Sequence, residues 1–192
     1  MHLINSEDGF FVSLDKSLSE IDKNWGKYNG LLMTGTHAPE DIHFEGSLDL
    51  IKQAREKNIP TLGICFGLHL GAIEFARNVL KIPEANSTEL DPKTKSPVID
   101  KLPGMRVGLR PVMKRLENHW HQYKLNTEYL HLYGQEFHIN MTRETDGDIA
   151  EQMTLAKHPF FVLTQYHPEY NSMSDKPHPL LIKFVQACKR TT

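Results

Sequence analysis

The sequence predicts an α/β fold: a three-layer sandwich with a largely parallel central sheet and a small antiparallel flap. The first half of the chain alternates short apolar runs with segments of helical spacing. The second half holds mostly strand-like segments, and one amphipathic helix closes the chain. Strands that alternate with helices favour parallel pairing, whereas consecutive strands favour antiparallel hairpins.

Length and composition limit the class of protein. With 192 residues, the chain is expected to form a single domain over residues 1–192. The formal net charge is −2, so electrostatics gives no reason to expect a nucleic-acid partner. No apolar run is long enough to cross a membrane, and no secretory leader is visible. With only two cysteines, a reduced cytoplasmic protein is the simpler interpretation.

The amino-terminal part supplies the first predicted strands and helices. His2 to Asn5 is a short apolar stub, and Leu14 to Trp25 repeats apolar residues at helical spacing. Gly30 to Thr34 is the next candidate for a buried strand. Ser47 is the predicted cap of a helix that runs to Lys57, because acidic residues come early in this segment and basic residues late.

The carboxy-terminal part has a different organisation. Leu80 to Pro103 contains four prolines and is predicted to be a long loop. Strands are then expected over residues 105–116, 119–126, 136–142, 149–155 and 160–166, the last two forming a hairpin. A helix begins at about Pro179, and its predicted apolar face consists of Leu181, Phe184, Val185 and Cys188.

One stretch in the first half carries a chemical signal. A buried strand after Pro60 leads into Gly63-x-Cys65-x-Gly67, and a helix with one apolar face follows. A cysteine between two glycines at a strand-to-helix turn is the cysteine form of a nucleophile elbow. The N-terminus of the helix would favour a thiolate on Cys65 and could receive an oxyanion. The alternative is a buried, inert cysteine beside two helix-packing glycines.

A second signal lies near the carboxyl terminus. His167-Pro168-Glu169 follows the apolar run Pro159 to Thr164, so His167 also lies at the end of a strand. A cysteine nucleophile needs a base, and the base needs an acid that holds its tautomer. Taken alone, the tripeptide indicates no more than a surface turn. After a cysteine elbow in this chain order, it predicts a triad of Cys65, His167 and Glu169.

Together these segments resemble the class I, or triad, glutamine amidotransferases, and within them the C-terminal glutaminase domain of CTP synthase. The resemblance extends over most of Tyr28 to Ala187. Its matching segments are Asn58 to Gly67, Glu74 to Val79, Ala85 to Pro92, Gly104 to Gly108, His119 to Asn126 and Pro159 to Glu169. It implies that family's flavodoxin-like sandwich, whose first strand and helix would precede His2, so the chain is expected to begin one unit late.

The resemblance also implies an amidase mechanism without cofactor or metal. Cys65 would attack a carboxamide carbon and form a thioester, His167 would shuttle the proton, and Glu169 would orient the histidine. The oxyanion would be held by backbone N–H groups at Gly35, Thr36 and Phe66. The substrate-binding positions would be His69, Glu89, Gln122 and Tyr123.

Three of these positions depart from the family pattern. His69 stands where the family has a glutamine, and Gln122 stands where it has an arginine for the substrate carboxylate. The Gly-Gly oxyanion turn reads Gly35-Thr36. We therefore expect poor hydrolysis of free glutamine, unless Arg106 or Arg110 reaches the same carboxylate.

Three functions stay open from the sequence. The leading interpretation is a stand-alone cysteine amidase acting on glutamine or a γ-glutamyl-like amide, whose ammonia passes to a synthetase partner or is released. The alternatives are a regulatory or ligand-binding homologue with little turnover, and a hydrolase of γ-glutamyl conjugates. The formation of homo-oligomers by this chain also stays open. His119-x-His121 could present two metal ligands on one strand face, but without a clear third ligand no metal is expected.

Overall fold

The computed structural model of the chain describes residues 2–4, 11–13, 29–36, 39, 43–144 and 147–190. The strands are β1 His2–Ile4, β2 Phe11–Ser13, β3 Gly30–Met33, β4 Thr61–Ile64, β5 Ala85–Ser87, β6 Ser96–Val112, β7 Arg115–Leu125, β8 Phe137–Thr142, β9 Ile149–Leu155 and β10 Phe161–Thr164. The helices are α1 Phe44–Glu56, α2 Phe66–Asn78, α3 Leu130–Tyr133 and α4 Pro179–Lys189. Within these ranges, no helix is long and apolar enough to cross a membrane.

The described strands form two sheets. The larger has the order β2-β1-β3-β4-β10-β9-β8. Its centre is parallel, since β4 pairs in parallel with β3 on one side and with β10 on the other. The strands outside this centre pair antiparallel. The smaller sheet has the order β5-β6-β7, and the long antiparallel hairpin of β6 and β7 is the predicted flap.

Helices cover both faces of the larger sheet. Successive side chains of its central strand β10 point alternately to one face and to the other, and each face packs against helices. Phe161 and Leu163 of β10 belong to the core cluster that includes α1 and α2. Val162, which points to the opposite face, packs in a second cluster with Phe184 and Cys188 of α4. The predicted three-layer α/β sandwich is therefore confirmed, and its parallel part lies at the centre of the sheet.

Two predictions about the helices need correction. Helix α1 begins at Phe44, and His43 caps it by accepting a hydrogen bond from the N–H of Gly46 at 3.2 Å, so Ser47 lies inside the helix. In α4, Phe184 and Cys188 are buried as expected, but Val185 is 44% exposed. The buried row is Leu180, Phe184 and Cys188, because residues four apart lie on one helix face. The expected helix from Leu14 to Trp25 falls outside the described residues.

The prediction of a long loop from Leu80 to Pro103 is wrong. This segment contains β5, and β6 begins within it, at Ser96. Strand β5 is held by parallel pairing of Ala85 with Ser96, a contact that no local pattern of residues reveals. The hairpin turn also comes earlier than predicted: Met113, with φ of 53°, lies between β6 and β7, so Leu116 belongs to β7.

Candidate active site

The strand-to-helix turn at Cys65 has the geometry of a nucleophile elbow. Cys65 follows β4 directly and precedes the first residue of α2, with φ of 54° and ψ of −105°. A Cβ atom on Gly63 would lie 2.7 Å from the carbonyl oxygen of Gly67, and one on Gly67 would lie 2.5 Å from that of Met33. Both glycines are therefore required by close backbone approach, and positive φ at a non-glycine residue marks strain of the kind found at functional sites.

His167 reaches the same edge of the sheet from the neighbouring strand. Ile64 of β4 pairs with Thr164 of β10, and the N–H of Cys65 donates to the carbonyl of Thr164 at 2.7 Å. The chain then bends, and the N–H of His167 donates to the carbonyl of Asn118 in β7 at 2.8 Å. The carboxyl ends of two parallel strands thus bring the cysteine and the histidine together, as expected for α/β sheets.

The hydrogen bond between His167 and Glu169 fixes the tautomer of the imidazole. Its Nδ1 lies 2.7 Å from Oε1 of Glu169. Because a carboxylate only accepts, Nδ1 carries the proton and Nε2 is left as the acceptor. Nε2 is buried and has no hydrogen-bond partner among the residues that the structure describes. On one face, the imidazole also stacks against the ring of Tyr170.

A cleft of about 70 Å³ contains the three predicted triad residues. Its lining residues are Thr34, Gly35, Thr36, Cys65, Trp120, His167, Glu169 and Tyr170. A Cβ atom on Gly35 would lie 3.0 Å from Cε1 of His167 and 3.8 Å from Sγ of Cys65. The absence of a side chain at Gly35 therefore leaves room where the cysteine and the histidine meet.

Burial outweighs the expected effect of the helix N-terminus on the thiol of Cys65. Burial, with a smaller contribution from the carboxylates of Glu89 and Glu169, raises the pKa of Cys65 to about 12. A hydrogen bond from the backbone N–H of Phe66 lowers it, but by less than burial raises it. The sulfur lies 3.7 Å from the carbonyl oxygen of Trp120, which accepts from the thiol.

A second cavity of about 190 Å³ adjoins the cleft and shares Thr36, Cys65 and Trp120 with it. Its lining residues are Thr36, Pro39, Cys65, Phe66, His69, Glu89, Met105, Trp120, His121, Gln122 and Tyr123. The cleft and the cavity together contain every site residue predicted from the sequence. The roles assigned to those residues stay predictions.

His69 lies between two polar side chains. It is only 2% exposed. Its Nε2 lies 3.4 Å from Oε1 of Gln165, and its Nδ1 lies 3.6 Å from Oε2 of Glu89, which is too long for a hydrogen bond. In the described ranges, neither His69 Nδ1 nor Glu89 Oε2 has a hydrogen-bond partner.

The two histidines of β7 have partners other than a metal. Nε2 of His119 lies 2.8 Å from Glu151, and Nδ1 of His121 lies 2.9 Å from the carbonyl of Tyr123. Burial lowers the pKa of His121 to about 2, so its ring is neutral and Nδ1–H donates to Tyr123. No group of three or more His, Cys, Asp and Glu side chains in the described parts of the chain is arranged to hold a metal ion.

Arg106 and Arg110 do not line the cavity beside Cys65. They line a separate cavity of about 60 Å³. Arg106 donates to Glu151 at 2.9 Å and also to Glu144, and Nη1 of Arg110 lies 3.6 Å from Oε2 of Glu144. Burial alone would raise the pKa of Glu151, but His119 and Arg106 hold it below its ordinary value, so these charges form one network.

Sequence reasoning missed several residues of the site. Tyr170 carried a weak signal, as the aromatic residue directly after the predicted acid. Trp120 and His121 lay inside a matched segment but were interpreted as packing residues or weak metal ligands. Gln165 and Met105 also lay inside matched segments, but neither suggested a role, because their proximity to the cavity depends on how β6 and β10 pack.

The comparison with known families shows which family the chain belongs to. The model of the family Glutamine amidotransferase class-I matches residues 10–187. The chain belongs to this family. The resemblance inferred from its residues is thereby confirmed.

Similar proteins place the chain within the glutamine amidotransferases. It is 37% identical over 202 residues to the CTP synthase of Thermomicrobium roseum, covering 93% of this chain and 36% of that protein. It is 34% identical over 211 residues to the CTP synthase of Halalkalibacterium halodurans, covering 97% of this chain and 38% of that protein. The chain thus spans a little over a third of the length of these curated relatives.

A solved structure shows the same fold. The glutaminase domain of Trypanosoma brucei CTPS with bound acivicin superposes with a TM-score of 0.81 at 24% identity, covering 90% of this chain and 75% of that one. This likeness supports the flavodoxin-like sandwich of the class I amidotransferases for the present chain.

Proposed function

We propose that this chain is a cysteine-dependent amidase that hydrolyses a side-chain carboxamide through a thioester on Cys65 and releases ammonia. The observation that carries the proposal is the state of His167. Its Nδ1–H is held by Glu169 at 2.7 Å, and among the described residues its Nε2 has no partner in the cleft that also contains the thiol. A base oriented in this way beside an elbow cysteine is the arrangement that nucleophilic catalysis requires.

The first half of the reaction forms the thioester. His167 Nε2 takes the thiol proton as the sulfur attacks the amide carbon. The resulting oxyanion is received by backbone N–H groups of Phe66 and of the Gly35-Thr36 turn. The imidazolium then gives its proton to the leaving nitrogen, the C–N bond breaks, and ammonia departs.

The second half restores the enzyme. His167 Nε2 takes a proton from water, the hydroxide attacks the thioester carbon, and the carboxylic acid leaves as the sulfur regains its proton. Each turnover consumes one water and one amide and yields one acid and one ammonia. The high pKa of Cys65 suits this scheme, because the thiol ionises only as the base removes its proton, and the resting nucleophile stays protected.

The ammonia is available to a synthetase partner. The curated relatives of this chain are CTP synthases, of which it matches a little over a third. A stand-alone amidase domain would supply ammonia to a separate acceptor or release it into solution.

Ammonia release from a panel of primary amides tests the proposal. Cys65→Ala should abolish it, whereas Cys188→Ala should leave it within about twofold, because Cys188 is a buried residue of α4 that lines neither the cleft nor the cavity beside Cys65. A protein that binds amides but releases no Cys65-dependent ammonia would instead be a regulatory homologue.

A further inference from the structure

The cavity beside Cys65 presents hydrogen-bond acceptors that lack partners. Within the part of the chain that the structure describes, Nδ1 of His69, Oε2 of Glu89 and Nε2 of His121 are buried and make no hydrogen bond, and all three residues line the cavity. His121 Nε2 is an acceptor because Nδ1–H of the neutral ring is used by Tyr123. Buried polar atoms nearly always find partners. A ligand of this cavity is therefore expected to bring hydrogen-bond donors.

The described lining of the same cavity contains no lysine or arginine side chain to supply a positive charge. Arg106 and Arg110 line another cavity and are engaged by acidic side chains there. His69 does not replace them, because its Nδ1 lies 3.6 Å from Oε2 of Glu89, so a positive charge on the ring would be paired with that carboxylate. The cavity therefore suits a cation better than an anion.

We infer that the site takes a primary amide whose far end carries an amino group and no free carboxylate, an inference that rests on the proposed amidase function. The ammonium of such a substrate donates to Glu89 and His121 as its amide reaches Cys65. A carboxylate in the same place would lie near Glu89 with only neutral donors such as Gln122 and Tyr123. Burying a charge without an opposite charge is unfavourable, and charge-assisted hydrogen bonds are stronger than neutral ones.

Three amides of similar length show which charged group, the amino group or the carboxylate, the cavity accepts at the far end of the substrate. Glutamine carries both charged groups, 4-aminobutanamide is glutamine without the carboxylate, and glutaramate is glutamine without the amino group. Hydrolysis of each consumes one water and yields ammonia and the corresponding acid. We expect kcat/KM to be about tenfold higher for 4-aminobutanamide than for glutamine, and lowest for glutaramate.

Two substitutions test whether the charges of the cavity cause this order of kcat/KM values. Gln122→Arg should shift the preference towards glutamine by about tenfold, since it puts a cation into the lining of the cavity. Leu116→Arg is the matched control: it adds the same charge to β7 at a residue that is 58% exposed and outside the cavity, and the preference should not change. Glu89→Gln should weaken 4-aminobutanamide more than glutaramate.

Binding to Cys65→Ala, measured by isothermal titration calorimetry, keeps the inference testable without turnover. Tighter binding of 4-aminobutanamide than of glutaramate supports it. Equal binding, or tighter binding of glutaramate, overturns it even if no amide is hydrolysed. Efficient Cys65-dependent hydrolysis of glutamine with none of 4-aminobutanamide would overturn this inference and leave the proposed amidase function standing.

Discussion

The rings of His167 and Tyr170 are stacked face to face, with their centroids 4.5 Å apart and their planes at 7° to each other. Glu169, between them in sequence, holds the imidazole edge by a hydrogen bond to Nδ1. The base is thus oriented in two directions, within its plane by the carboxylate and perpendicular to it by the tyrosine ring. The stacked face also favours the imidazolium formed during catalysis.

Loss of the stacked ring should therefore impair the base. Tyr170→Leu is expected to lower kcat/KM about two- to fivefold, the equivalent of a contact between a cation and an exposed ring. Tyr170→Phe keeps the ring and should behave like the wild type. If both variants lose activity equally, the hydroxyl group matters and not the stacking.

The base should matter more than the residue that orients it. His167→Ala is expected to lower kcat by about 10²- to 10⁴-fold, the usual contribution of a positioned base, and Glu169→Ala by less. Both effects are read from steady-state ammonia release at saturating amide. An active His167→Ala protein would show that the His-Pro-Glu segment is only a structural turn.

Alkylation by iodoacetamide reports the state of the thiol. Cys65 lines two cavities, whereas Cys188 is only 1% exposed, so Cys65 should be labelled first. Only the thiolate reacts, and with a pKa of about 12 its fraction should rise about tenfold per pH unit from pH 7 to 9. Peptide mass spectrometry gives both rates. A plateau near neutral pH would reveal a preformed thiolate and contradict the buried-thiol description.

A single methyl group at Gly35 should disturb the packing of the Cys65 and His167 side chains, which lie next to this glycine. In Gly35→Ala the new Cβ would lie 3.0 Å from Cε1 of His167, so the ring must shift by a few tenths of an ångström. We expect turnover to fall about three- to tenfold while the melting temperature changes little. Gly104→Ala is the control, since no atom lies within 4 Å of its added methyl group. Equal effects of the two changes would contradict this explanation.

Much of the fold and site was predictable from the sequence where the determining interactions are local. The two glycines around Cys65 and the tripeptide at His167 are short signals whose geometry follows from neighbouring residues. The strands β3, β4 and β10 are apolar runs, which predict burial on both faces. The parallel centre of the sheet then brings Cys65 and His167 to one edge.

The failures share a non-local cause. Strand β5 exists because Ala85 pairs with Ser96, and the high pKa of Cys65 reflects how deeply the assembled fold buries it. The acceptor role of His121 depends on its hydrogen bond to the carbonyl of Tyr123. None of these can be deduced from spacing, since each depends on the packing of distant segments.

The most direct test of the account is the thioester itself. The enzyme is mixed with an excess of 4-aminobutanamide or glutamine, quenched in acid within milliseconds to seconds, and analysed by intact-protein and peptide mass spectrometry. We predict an adduct of the amide minus ammonia on the peptide containing Cys65, removed by hydroxylamine and absent from Cys65→Ala. Ammonia release by Cys65→Ala at the wild-type rate, with no adduct on the wild-type protein, would contradict the account.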